Sequence, residues 1–167
     1  ADVEGKRVFV RADLDVPLME QSTVNHQQLT IADDTRLKAG LLTIEYLLNN
    51  GATVIVAGHL GRPKGFDDRL SLEPVAQWIF EKFRVQNKEF TMHETNIGDF
   101  KSWELDEKLY ILGNLRFYKG EETNDSAFAH QLASLADIYV NDAFSVAHRL
   151  HASTFGIIPL VIFPFFI

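Results

Sequence analysis

Lys6–Pro17, KRVFVRADLDVP, opens with the apolar run Val8, Phe9 and Val10 and then turns polar at Arg11, Asp13 and Asp15. β-Branched and aromatic residues suit a buried strand. Pro17 closes it, because proline cannot donate to a central ladder. A buried strand that ends in charged groups is a common way for an α/β fold to present chemistry. The same order recurs along the chain: an apolar run, a cluster of Arg, His, Asn or Asp, then a helix.

Working outward, Leu18 to Thr30 is polar and glutamine-rich and reads as a loop or short hairpin. Asp33 or Asp34 caps a helix, since a short carboxylate accepts the free N–H groups of a first turn. Leu37, Leu41, Ile44 and Leu48 follow at helical spacing, and Gly51 ends the helix. Val54–Val56 is a second strand, apolar on both faces as parallel strands are. The loop Gly58–Gly65, GHLGRPKG, leads to a helix capped by Ser71, with Pro74 tolerated in its first turn. Leu72, Val75, Ala76, Ile79 and Phe83 line its apolar side. Lys88–Met92 reads as a short strand, and Thr95–Lys108 as a polar, ambiguous stretch with a short helix as one reading. Leu109–Leu112 is a strand ending in Gly113-Asn114-Leu115-Arg116. Asn124 or Asp125 caps a helix carrying Phe128, Leu132 and Leu135. Ile138–Val140 is the last clear strand. Alternating strands and helices predict an α/β fold, a Rossmann-like three-layer domain with a mainly parallel sheet flanked by helices.

A chain of 167 residues suits one domain with a real core. There is no cysteine, which excludes disulfides and thiolate metal sites and fits a reducing, cytoplasmic location. A net charge of −7 argues against broad nucleic-acid or membrane binding. The start, ADVEGKR, has no basic region followed by an apolar segment, so no signal peptide is expected; it also lacks Met, which reads as a chain cut or processed at the front. The segment Gly156–Ile167, GIIPLVIFPFFI, is almost wholly apolar but shorter than the about 20 residues a bilayer span needs. It reads as a buried strand or connector whose covering partner is absent, so that a longer protein would continue from it.

Ligands in such sheets bind beyond the carboxyl ends of the strands. Arg11, Asp13 and Asp15 follow the first strand; His59, Arg62 and Lys64 the second; Arg116 and Lys119 the fourth; Asn141, His148, Arg149 and His151 the last. Arg36 falls in the first turn of the first helix, where the helix dipole disfavours a cation. Any one of these residues is equally well a solvated loop charge, a cap or a satisfied structural histidine. Recurring at successive strand ends of an acidic protein, they point to a small ligand with more than one negative group, which arginine forks bind at two points.

The usual nucleotide phosphate loops, G-x-x-x-x-G-K-[ST] and G-x-G-x-x-G, are missing. So are a serine nucleophile elbow and any metal-ligand spacing beyond the weak His148-x-x-His151; no metal site is expected. One rival reading makes Asp13-x-Asp15 the nucleophile and acid of an aspartate-dependent phosphohydrolase. Arg11 interrupts the apolar lead-in for that reading, and the last strand offers Asn141-Asp142 in place of a magnesium-holding acidic pair.

Together RADLDVP, DDTR, GHLGRPKG, GNLRFYKGEE, LASLADIYVNDAF and AHRLHAS resemble, in order, the phosphoglycerate kinase family, specifically its amino-terminal, substrate-binding domain. The resemblance covers roughly Gly5 to Gly156. It implies residues 1–156 as the phosphoglycerate-binding domain and 157–167 as an apolar tail that starts a truncated continuation. It implies the glycolytic reaction: reversible phosphoryl transfer from 1,3-bisphosphoglycerate to ADP, giving 3-phosphoglycerate and ATP. It further implies that Asp13, Asp15, Arg36, His59, Leu60, Gly61, Arg62, Arg116 and Arg149 bind the phosphoglycerate, with Arg36 also steadying the transferring phosphoryl group as the catalytic residue. Mg-ATP or Mg-ADP would be bound mainly by a second domain that this sequence does not include, and the complete enzyme would be a monomer. Alone, the chain is then expected to bind phosphoglycerate weakly and not to turn over; a non-catalytic domain that keeps the fold is the remaining alternative. The sequence departs from the family pattern at Asp15, where Asn is usual, at Gly113, where Glu is usual, and at Leu150, where Ala is common. Asp15 matters most, because an ionised carboxylate cannot donate a hydrogen bond as an amide does.

Overall fold

Val8, Phe9 and Val10 are fully buried in the middle of β1 (Arg7–Ala12), which runs parallel to a neighbour on each side, β4 (Thr53–Ala57) and β8 (Ile138–Asp142). The computed structural model describes residues 2–22, 27–83, 91–161 and 163–166. Between β1 and β4 lie the antiparallel hairpin β2 (Leu18–Ser22) and β3 (Gln27–Ile31) and the helix α1 (Thr35–Asn49). Next come α2 (Glu73–Phe83), β5 (His93–Ile97), β6 (Phe100–Asp106), β7 (Leu109–Leu112), the single turn α3 (Lys119–Glu122) and α4 (Ser126–Ser134). β9 (Phe163–Phe166) follows β8 and pairs parallel to it. The main sheet runs β5-β6-β7-β4-β1-β8-β9. It is parallel from β7 to β9 and antiparallel at the β5-β6-β7 edge.

The two-residue period of β1 divides the core. Val8 and Val10, with Val54 and Val56 of β4, face Leu37, Ile44 and Leu47 of α1 and Val75, Ala76 and Ile79 of α2. Phe9, Ile55 and Tyr139 face the other way, into Phe128, Ala129 and Leu132 of α4. Each fully buried Val, Leu or Phe contributes about 1.5–3 kcal/mol. The chain therefore crosses from β1 to β4 on one face and from β7 to β8 on the other. The reversal falls between β1 and β8, and a ligand crevice belongs at their carboxyl ends.

Local signals mostly act as the sequence indicates; Asp34 stands at the N-cap of α1 without a side-chain capping bond, and Asp33, one residue earlier, supplies that bond. Asp33 Oδ1 accepts the Thr35 N–H at 2.9 Å, while Asp34 pairs with Lys38 at 2.8 Å. Gly51, at φ +80°, closes α1. Ser71 Oγ accepts the Glu73 N–H, and Asp125 caps α4 through the Phe128 N–H at 2.8 Å. One expectation is corrected: Thr95–Lys108 holds most of β5 and β6 and no helix. Its charges pair across strands, His93 with Glu104 at 3.0 Å and Lys101 with Glu94 at 2.8 Å, while Trp103 and Leu105 are buried. Of the strand read at Lys88–Met92, residues 88–90 lie outside the described residues; β5 begins at His93.

Candidate functional site

Beyond β1, Leu14 and Val16 remain in the core, so alternation turns Asp13 and Asp15 away from it. Asp13 Oδ2 accepts the Ser145 hydroxyl at 2.8 Å, and Asp13 Oδ1 lies 3.3 Å from an Arg36 terminal nitrogen. The same nitrogen donates to the Asp15 carbonyl at 3.1 Å. Arg36 sits in the first turn of α1, which carries no acidic residue. Asp13, on a different element, offsets the charge that the helix dipole disfavours there. The Arg36 side chain remains half exposed at the carboxyl edge of the sheet.

The β4 exit presses against the β1 exit. A Cβ on Gly58 would lie 2.7 Å from Leu14 Cγ and 3.0 Å from the Ala12 carbonyl, so glycine sets this approach. His59, next in the chain, is buried with its Nδ1 3.0 Å from an Arg11 terminal nitrogen and its Nε2 3.5 Å from Asp15 Oδ2. Gly61, at φ +64°, donates its N–H to Asp15 Oδ1 at 2.8 Å. The two contacts, from His59 first and from Gly61, hold the Asp15 carboxyl at about 2 against the opposing effect of burial. Burial, with the Arg11 and Arg116 charges, keeps His59 below the usual imidazole range although Asp15 pulls the other way. The Leu60 side chain belongs to the core; its carbonyl accepts from Asn114 at 2.8 Å. Arg62 is exposed.

Arg116, in the turn after β7, donates from one terminal nitrogen to the Gly61 carbonyl at 2.6 Å. Its buried Nε lies 3.3 Å from Glu122 Oε1 without hydrogen-bond geometry. Arg149, beyond β8, likewise has a buried Nε with no hydrogen-bond partner. Burial depresses the Arg116 pKa, and the Arg149 charge, close enough to repel, adds to the effect against the pull of Glu122. Two arginines brought together in a site where Asp13 and Asp15 are already engaged suit an oxyanion.

A family model described as phosphoglycerate kinase matches residues 1–163. The chain belongs to the phosphoglycerate kinase family. It is 49% identical over 163 residues to the chloroplastic phosphoglycerate kinase of Volvox carteri, covering 94% of this chain and 33% of that protein. It is 48% identical over 161 residues to the cytosolic phosphoglycerate kinase of Triticum aestivum, covering 94% of this chain and 38% of that one. The solved structure of phosphoglycerate kinase from Coxiella burnetii superposes with a TM-score of 0.77 at 30% identity, over 99% of this chain and 40% of that one. The chain thus spans little more than a third of the length of these phosphoglycerate kinases.

The fold brings Asp13 to Arg36, Asp15 to His59 and Gly61, and Arg116 to Gly61 and the neighbourhood of Arg149. Leu60 stands apart with its side chain in the core. At the family departures, Gly113 leaves little room for a side chain, since a Cβ would meet the Lys101 carbonyl at 3.1 Å, and Leu150 is exposed. Sequence reasoning missed the support beneath the site. Arg11 reads in sequence as a charge at a strand end, yet it lies inside β1, 1% exposed, and donates from Nε to Ser153 Oγ at 3.0 Å and from a terminal nitrogen to the Ala12 carbonyl. Glu121, also 1% exposed, accepts both the Ser153 N–H and its hydroxyl. An arginine on the same strand face as Phe9 was the available signal, because a cation buried there requires a carboxylate elsewhere in the chain.

Proposed function

We propose that this chain supplies the phosphoglycerate-binding half of a phosphoglycerate kinase, a phosphotransferase with a carboxyl group as acceptor. The reaction is the reversible transfer of a phosphoryl group from 1,3-bisphosphoglycerate to ADP, giving 3-phosphoglycerate and ATP. The substrate-binding domain takes in residues 1–156 together with the following segment, whose Ile157 joins the core and whose β9 extends the same sheet beside β8. The observation that carries this reading is the convergence of two guanidiniums, Arg116 and Arg149, close enough for their charges to repel, beyond the carboxyl ends of β7 and β8.

In this reading Arg62, Arg116 and Arg149 grip the phosphate of the phosphoglycerate. Asp13 and His59 contact the phosphoglycerate from the β1 and β4 exits, and Gly61 closes the floor beside Asp15. Arg36 faces the transferring phosphoryl group. No protein nucleophile is needed, since a substrate carboxylate attacks the terminal phosphate in the direction of ATP use. Catalysis is then positioning plus neutralisation of charge on phosphoryl oxygens. Mg-ADP or Mg-ATP enters as the second substrate on a nucleotide domain. We place the protein in the cytoplasm, the compartment named for the Triticum aestivum relative, while the Volvox carteri relative is named chloroplastic. No described helix is long and apolar enough to cross a membrane.

Titration of the isotope-labelled chain with 3-phosphoglycerate is expected to shift Arg36, His59 and Arg149 resonances. Signals unmoved at millimolar ligand would refute the binding half. The chain alone is expected to make no ATP from 1,3-bisphosphoglycerate and ADP. Release of phosphate from a generic phosphomonoester without nucleotide would favour the Asp13 phosphohydrolase instead. Asp13, however, already has both carboxylate oxygens engaged, by Ser145 and Arg36.

A further inference from the structure

Beneath the proposed site runs a continuous chain of hydrogen bonds whose direction is fixed by chemistry. Arginine is a donor only. With an Arg11 terminal nitrogen 3.0 Å from His59 Nδ1, that ring nitrogen must present its lone pair. The ring is therefore neutral with its proton on Nε2, which faces Asp15 Oδ2 at 3.5 Å. On the other side, Arg11 Nε–H points to Ser153 Oγ at 3.0 Å. That oxygen must accept, because its single proton goes to Glu121 Oε1 at 2.5 Å. The second Glu121 oxygen takes the Ser153 N–H at 3.0 Å. The Ser153 carbonyl is held as well, by the Tyr139 hydroxyl at 2.8 Å. Arg11, Ser153 and Glu121 are all at 1% exposure or below, so none of them exchanges its partner for water.

The chain joins four parts of the fold: β1, the β4 exit, the turn α3 and the π-helical turn at Ala152–Gly156. Glu121 is the acidic end. His151 Nδ1 lies 4.0 Å from it, outside hydrogen-bond range, so Ser153 is its direct partner. Glu121 supplies the largest counter-charge to the buried Arg11, and removing it leaves that guanidinium under-compensated, which weakens the bonds that orient it.

We infer that Glu121 is a positioning residue which, through Ser153 and Arg11, fixes His59 as the Nε2–H tautomer. The site then receives a neutral N–H donor at His59, aimed at Asp15. Its consequence for phosphoglycerate rests on the function proposed above; the tautomer itself does not, and it is measured without ligand.

The test is a long-range proton–nitrogen correlation spectrum of the nitrogen-15-labelled chain at neutral pH. His59 is expected to show the Nε2–H tautomer, and the Arg11 Nε–H and Ser153 hydroxyl protons are expected to be protected from solvent exchange. An Nδ1–H or doubly protonated His59, or rapid exchange of either Arg11 or Ser153 proton, overturns the inference with no variant required. In Ser153→Ala, or in Glu121→Gln, the His59 ring nitrogens are expected to move toward the positions of a tautomer mixture. A folded variant with unchanged His59 nitrogen shifts overturns the role of Glu121. A purely structural Glu121 would lower stability and leave the tautomer alone. Should 3-phosphoglycerate fail to bind while His59 shows the Nε2–H form, the functional reading fails and this one stands.

Discussion

Gly61 donates its N–H to Asp15 Oδ1 at 2.8 Å across 46 residues of sequence, joining the β1 exit to the β4 exit. This bond explains how an aspartate occupies a position where the family resemblance leads one to expect asparagine. Oδ1 needs only to accept, which both side chains do. The other atom differs. An amide nitrogen in place of Oδ2 would face His59 Nε2–H, donor against donor, at a spacing that is now 3.5 Å. The aspartate therefore matches the tautomer of His59, at the cost of a negative charge beside an anion site.

The first prediction concerns acid. The Asp15 carboxyl is lowered from 3.8 to about 2, chiefly by the His59 contact and then by the Gly61 N–H. A carboxyl depressed in the folded state stabilises it above the unfolded pKa, and that stability is lost as pH falls through the folded value. The window is therefore roughly pH 4 down to pH 2. With the side chain 40% exposed, solvent screening limits the effect to about 1 kcal/mol or less. A carbon-13 titration should place the Asp15 carboxyl near 2, and Asp15→Asn should lose less stability over this window than the parent. A midpoint near 4 would contradict the geometry.

The same residue gives a binding prediction. Removing one negative charge about 4 Å from an anion is worth about 1 kcal/mol in a solvent-like dielectric. Asp15→Asn should then bind 3-phosphoglycerate about fivefold more tightly by calorimetry. Weaker binding would mean that the Asp15–His59 contact positions the loop more than the charge opposes the ligand.

Gly58 gives a prediction about the scaffold alone. Its missing Cβ lets Leu14 and the Ala12 carbonyl close on the β4 exit, with 2.7 Å and 3.0 Å available where a methyl would stand. Gly58→Ala must push these apart, and overpacking of this kind costs about 1–3 kcal/mol. Urea unfolding measures it directly. A variant as stable as the parent would show that the two exits are free to separate.

The parallel strands and the rim were legible because each signal was local. A run such as Val54–Val56 names a strand, and Arg36, His59, Arg116 and Arg149 follow helix or strand boundaries visible in the sequence. The antiparallel edge was not, because β6 mixes Lys101, Glu104 and Asp106 with Trp103 and Leu105, and its charges are paired across strands rather than within a turn. Glu121 was hidden for a similar reason. In GNLRFYKGEE it looks like one of two solvated acids, and only Ser153, 32 residues further on, reveals it as the buried one. Arg11 misleads in the opposite direction: its charge suggests the ligand, but its place in the strand turns it into the interior.

Arg36 separates binding from catalysis. Its side chain is half exposed and touches only Asp13 and the Asp15 carbonyl in the described contacts, so Arg36→Met should leave the fold intact. Its position in the first turn of α1 sets it toward the carboxyl edge, where a phosphoryl group in transfer would carry charge on three oxygens. In a chain extended with a family nucleotide domain, the variant should lose about 10³-fold or more in kcat, as arginines that stabilise phosphoryl transfer do. The KM for 3-phosphoglycerate should change far less, because Arg62, Arg116 and Arg149 carry the ground-state grip in the proposed arrangement. Steady-state kinetics with both substrates varied makes the comparison. An equal loss in kcat/KM from weaker binding alone, with kcat unchanged, would move Arg36 from the transferring group to the phosphoglycerate itself.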